Sequence, residues 1–537
     1  MNMRRISALL LFIAITGTAF TPPPLLDTAS NPPPGPDRYT VIKVKYTAYT
    51  WWIASWSRNQ VACSVVVDHK GQPTLPEIYR DCTEDVYDKW LIQPPCDKQY
   101  KATGCIGYYA FLVSTEPAEK EIPTQLPEAT AWLTLDGCEP VASTSTNICE
   151  NTPTLVITGQ EPLPNQTITG IEGTINGDSF SCKGSECKVP LQETDNVGTP
   201  IQFWAWSSYG DSSPILTAQV RVSHTDQGDP DQLYWYVDVL SNQWQGQPVA
   251  SCADSWESFP PVGGPPAWLT TPDNSEDLSS DIPYTYLAAN LILQGAVDAS
   301  ACPDGGLIPG GGVNECGLEA ARPTVNDWQD RFDSLILSTS QDTGVPAHLL
   351  KNLFARESQF WPGVFRANTD VGLGQLTENG ADTTLIWNTS FFNQFCPLVL
   401  SSDACGKGYL HLSDDNQQLL REALVGSVNA SCDTCPLGLD LSQADFSVSV
   451  FAHTLIANCE QTGRIVRNVT GQAPGQVASY EDMWKFTLVN YNAGPGCLAD
   501  ALDVAEGQGD DLTWDSVSPF LTGACEGAIQ YVNDISQ

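Results

Sequence analysis

Within residues 346–360, PAHLLKNLFARESQF, one carboxylate stands where an apolar side chain is expected. Leu350, Leu353, Glu357 and Phe360 follow at intervals of three, four and three residues, and Leu349 and Phe354 widen the same stripe. A surface glutamate would sit among Lys351, Asn352 and Arg356 instead. An acid on the apolar stripe loses solvation for its charged form, so its pKa rises. That is the preparation a general acid needs near neutral pH. The competing reading puts Glu357 at the edge of the stripe with its carboxylate in water.

Two further segments bear on that choice. Gly372-Leu373-Gly374-Gln375-Leu376-Thr377 begins fifteen residues after the glutamate, and Asn490-Tyr491-Asn492-Ala493-Gly494-Pro495-Gly496 follows much later. Gly372 and Gly374 allow backbone to approach a ligand closely. Gln375 can both donate and accept hydrogen bonds. Ser479 and Asp482 form a helix start, after which Trp484, Leu488 and Tyr491 share one face.

Taken in order, the Glu357-Ser358 pair, the Gly372–Thr377 run and the Asn490–Gly496 run resemble the SLT domain of soluble lytic transglycosylases, a goose-type-lysozyme-like fold. The resemblance covers about residues 322–537. It implies cleavage of the MurNAc–GlcNAc bond of peptidoglycan with Glu357 as the single catalytic acid. The muramoyl C6 hydroxyl would then attack C1 to give a 1,6-anhydro product. It also implies sugar contacts for Ser358, Gly372, Gln375, Tyr491 and Asn492, and a hydrogen bond from Tyr491 to Glu357. No cofactor or metal is implied. Most glycosidases use two carboxylates; here the substrate supplies the nucleophile.

Departures from the family pattern are visible. Gly374 stands where the family usually has Met, which predicts a more open cleft wall. The family's Asn and Gly on a preceding helix are not readable in residues 446–456. Residues 381–445 form a longer span holding Cys396, Cys405, Cys432 and Cys435, read as a disulfide-tied insertion over or beside the groove. Two rivals remain. A hydrolytic lysozyme on the same fold would need a second carboxylate, for which Asp370 and Glu378 are candidates. A wall-binding protein with an inactive enzyme domain would use its β-rich part instead.

The elements that position these residues occupy less than half of the chain. At 537 residues, several domains are expected. A net charge of −38 with only 25 basic residues argues against a nucleic-acid partner. Residues 1–20 read as a secretory signal, and no later run is long and apolar enough to span a bilayer. The expected location is secreted or in the bacterial cell envelope, with glycan strands as partner. Eighteen cysteines fit an oxidising compartment.

The predicted architecture is multidomain. A Pro-rich spacer covers residues 21–37, a Cys-rich β-rich domain 38–149 and a small Ig-like β-sandwich 150–225. A Pro/Gly-rich connector covers 226–321, followed by an all-α lysozyme-like domain at 322–537. In the sandwich, Cys182 and Cys187 should staple a hairpin, and the Phe203–Trp206 run reads as core more than as a sugar-binding face. The helical domain carries seven cysteines, so one must pair outside it or stay free.

Overall fold

The computed structural model describes residues 38–92, 96, 107–141, 146–225, 234–246, 251–262, 264–364, 370–509 and 511–537. The expected signal, the Pro-rich spacer and the first residues of the expected connector, 226–233, lie outside the described residues. The chain divides into two compact units: Gly35–Glu128 with Pro162–Asn165, and Ala129–Glu161 with Gln166–Gln537.

The first unit is built on a three-stranded antiparallel sheet. Strand Tyr39–Ser55 lies between Gln60–Val67 and Tyr108–Gln125. Alternation along the strands turns Ile53, Val65 and Val67 to one face, where Ile78 and Val86 of two short helices close a small core. Cys63–Cys82 ties the sheet to the first helix.

The second unit opens with one curled eight-stranded antiparallel sheet rather than the sandwich expected over 150–225. Strands Thr130–Pro140 and Asn147–Gln160 pair with each other and are bridged by Cys138–Cys149. The boundary expected at 149 therefore falls near residue 128. Tyr234–Leu240 fills the place between Asn147–Gln160 and Leu216–Thr225. Leu133, Leu155, Ile157, Phe203, Val220 and Val237 make the apolar interior. Phe203 and Trp204 are buried in the sheet, so the aromatic run is structural. Cys182–Cys187 staples its hairpin as expected.

The helical half begins earlier than 322. Trp256, Trp268, Leu269, Leu278 and Leu287 share one continuous core with Phe354, Phe451 and Trp484. What reads in sequence as a connector is thus a wrapping of short helices and turns on the helical core. Cys252–Cys459 fixes it across 207 residues and accounts for the odd cysteine of residues 322–537. The other helical-half cysteines pair as Cys302–Cys316, Cys396–Cys405, Cys432–Cys435 and Cys497–Cys525.

Helix Glu315–Asp330 starts at Asn314, whose side chain accepts from the Gly317 amide. The longest helix among the described residues, Leu441–Thr470, is capped by Asp440 and buries Val448, Phe451, Leu455 and Cys459 on one side. Among the described residues, no helix is long and apolar enough to cross a membrane.

Candidate active site

Helix Ala347–Ser358 carries Glu357 in its last turn. The helix stops two residues short of Phe360 because Gln359 and Phe360 both adopt left-handed backbone, at φ 49° and 62°. Neither is glycine, so the turn must be held from outside. The Gln359 side-chain oxygen accepts from the amides of Tyr286 and Leu287, at 2.8 and 3.3 Å, at the start of helix Thr285–Leu293. The Trp328 indole donates to the Phe360 carbonyl at 2.9 Å. The misread connector thus helps fix the turn that ends the glutamate's helix.

Glu357 opens onto a cleft of about 660 Å³. Burial raises its carboxyl to about 7. A hydrogen bond from the Tyr531 hydroxyl to Oε1, at 2.5 Å, and the Arg356 charge pull it down, while the Asp370 charge pushes it up. The acid therefore keeps its proton to higher pH than an ordinary glutamate, the direction expected from its place on the stripe.

Gln375, Tyr491 and Asn492 line the same cleft. Gln375 has left-handed backbone, φ 57°, and its amide nitrogen donates to the Gly372 carbonyl at 2.7 Å. Tyr491 is placed differently from expectation. Its hydroxyl donates to the Gly374 carbonyl at 2.6 Å, and the tyrosine that donates to Glu357 is Tyr531. Helix Gly527–Ile535 brings Tyr531 in, and Arg356 and Asp534 pair at 2.8 Å beside it.

Ser358 and Gly372 do not reach the cleft. The Ser358 hydroxyl is buried and donates to the Leu373 carbonyl at 2.7 Å, pinning helix to turn. Gly372 is needed for its φ of 78° and because a Cβ there would meet the Val428 carbonyl at 2.7 Å. The open wall expected at Gly374 is filled: a Cβ there would lie 2.4 Å from the Phe451 ring. Bulk absent from the turn is supplied by the long helix. Glu378 begins helix Glu378–Trp387 and is exposed, whereas Asp370 lines the cleft.

Several lining residues escaped the sequence reading. Thr454, Asn458 and Gln461 recur at helical spacing on the long helix, and Asn490 donates to the Asn458 carbonyl at 3.1 Å and Gln461 Oε1 at 3.0 Å. Amides within an otherwise apolar stripe are the same signal that exposed Glu357. Tyr531 was readable too, with Ala528, Val532 and Ile535 on one face of the final helix. The arrangement offers one proton-bearing acid beside amides, hydroxyls and two further carboxylates, Asp370 and Asp382, suited to a hydroxyl-rich ligand without negative charge. No protein-family model and no curated protein matches the chain.

Proposed function

We propose that this chain is a peptidoglycan-cleaving enzyme of the cell envelope or exterior, a lytic transglycosylase acting on MurNAc–GlcNAc β-1,4 bonds. The observation that supports it is Glu357, held near pKa 7 by burial at the side of a cleft lined with amides and hydroxyls. The protonated carboxyl gives its proton to the glycosidic oxygen as the C1–O4 bond breaks. The resulting carboxylate then takes the proton of the muramoyl C6 hydroxyl as that oxygen bonds to C1. Tyr531 holds Oε1 through both steps and offsets the charge when it forms. The disulfides and the absence of a membrane-crossing helix among the described residues fit an oxidising, extracytoplasmic setting.

One observation favours a second reading, hydrolysis. Asp370 lines the cleft close enough to raise the Glu357 pKa, and a second carboxylate could hold a water in place of the C6 hydroxyl. Mass spectrometry of muropeptides released from purified sacculi separates the two. Anhydromuramoyl ends mean transglycosylation, and reducing ends mean hydrolysis. Sacculi left uncut by the folded protein would leave only a wall-binding role.

A further inference from the structure

Helix Glu378–Trp387 walls the cleft beyond the Gly372–Thr377 turn. Asn379, Thr383 and Trp387 all line the cleft and recur every four residues, so they form one row. Helical rise sets about 12 Å between the first and last of them. The row runs from an amide through a hydroxyl to an indole, with Ile386 beside it. Trp387 is only partly buried, and its ring nitrogen has no hydrogen-bond partner among the described residues.

This wall is braced through Asp382, which also lines the cleft. Asp382 Oδ1 accepts from the Tyr409 hydroxyl and from Arg421 Nη1 at 3.1 Å, and Arg421 also donates to the Tyr409 oxygen at 3.2 Å. Tyr409 and Arg421 belong to the disulfide-tied span of residues 381–445. Its role is thus to stiffen the cleft wall, and the guanidinium pairs with Asp382, the carboxylate of that helix that lines the cleft. A fixed, electrically neutral row ending in an indole matches a pyranose, whose C–H face covers aromatic carbon while its hydroxyls meet amide and hydroxyl groups.

We propose that Trp387 is the stacking residue of a distal sugar subsite, which takes a further N-acetylated pyranose of a β-1,4-linked strand away from Glu357. The inference rests on the glycan-cleaving reading and adds to it a dependence on strand length. The test uses the full chain carrying Glu357→Gln, so that ligand is not consumed, and calorimetric binding of N-acetylglucosamine dimer and hexamer. The hexamer should bind more tightly than the dimer. Adding Trp387→Ala should weaken hexamer binding by about tenfold, a change of about 1.4 kcal/mol, and dimer binding much less. Trp387→Phe should restore most of the hexamer affinity. Hexamer binding unaltered by Trp387→Ala, or equal losses for dimer and hexamer, would overturn the subsite while leaving the glycan-cleaving reading intact. Binding of neither oligomer, together with uncut sacculi from the wild-type protein, would remove both.

Discussion

Helix Ala347–Ser358 carries a buried lysine and a half-buried, desolvated glutamate and treats them in opposite ways. Lys351, which the sequence pattern placed on the surface side, is 6 % exposed and meets Asp333 at 2.8 and 3.0 Å and Asp330 at 3.1 Å. Ser279 and the Ser280 amide in turn donate to Asp330 at 2.8 and 2.9 Å. Six residues on, Glu357 is left with a tyrosine hydroxyl as its close side-chain partner and, among the described residues, no cation in contact. A buried charge that serves the fold is compensated on every side. Burial still raises the paired Asp333 carboxyl to about 6, but its Lys351 partner opposes the rise, whereas Glu357 reaches about 7; full pairing at Glu357 would leave it no proton to give near neutrality.

The largest effect should come from removing the under-compensated acid. Glu357→Gln should lower sacculus cleavage by about 10²–10⁴ with the fold intact. The same variant should be more stable than wild type at pH 8. A carboxyl whose folded pKa, about 7, exceeds its unfolded value keeps its proton longer when folded. The stability this brings is complete at acid pH and is lost as pH rises towards 7. The amide escapes that loss, worth at most about 3 kcal/mol. Melting curves at pH 4 and pH 8 check the sign, and an equal shift at both would contradict it.

Breaking the compensated charge should do the reverse. Lys351→Met leaves Asp333 buried without its cation and should cost about 3–5 kcal/mol, read as a drop in denaturation midpoint. Cleavage by the molecules still folded should persist. Adding Asp333→Leu should recover most of the loss, and no recovery would mean that the pair is not the unit of stability.

Next in size is the bridge that holds the wrapping segment. Replacing Cys252 and Cys459 by Ser should cost about 2–5 kcal/mol in thermal melting. An unchanged melt would show that the wrapping stands by packing alone.

The smallest effect separates the two tyrosines. Tyr531→Phe removes a hydrogen bond that lowers the Glu357 pKa. The acid's pKa should rise by about one unit, the worth of a bond to a charged group. The alkaline limb of the activity profile should therefore move to higher pH. Tyr491→Phe, which loses a contact to the Gly374 carbonyl, should leave that limb in place. A shift in the second variant and not the first would return the orienting role to Tyr491.

Much of the site was legible because it rests on local pattern. The place of Glu357 on its stripe, the inward face of Tyr491 and the Ser479 cap all follow from helical period and short-range hydrogen bonding. The misplacements have one cause, which is packing between segments far apart in the chain. Lys351 looked exposed because the residues that cover it come from 279–333. Gly374 looked like a gap because Phe451 fills it from 77 positions away. Tyr491 and Tyr531 have equally good stripes, and only the approach of the final helix decides which hydroxyl meets the acid.

The sequence by itself determined that a helical segment carries a carboxylate among apolar side chains, that the cysteines form bridges, and that strands precede helices. These depend on periodicity and composition, which a chain carries whatever its fold. Tertiary structure alone decided which groups surround each buried charge, and so how far each buried carboxyl is raised. Desolvation and hydrogen bonding act over a few ångströms of space, and neighbours at that range are set by the packing of distant segments.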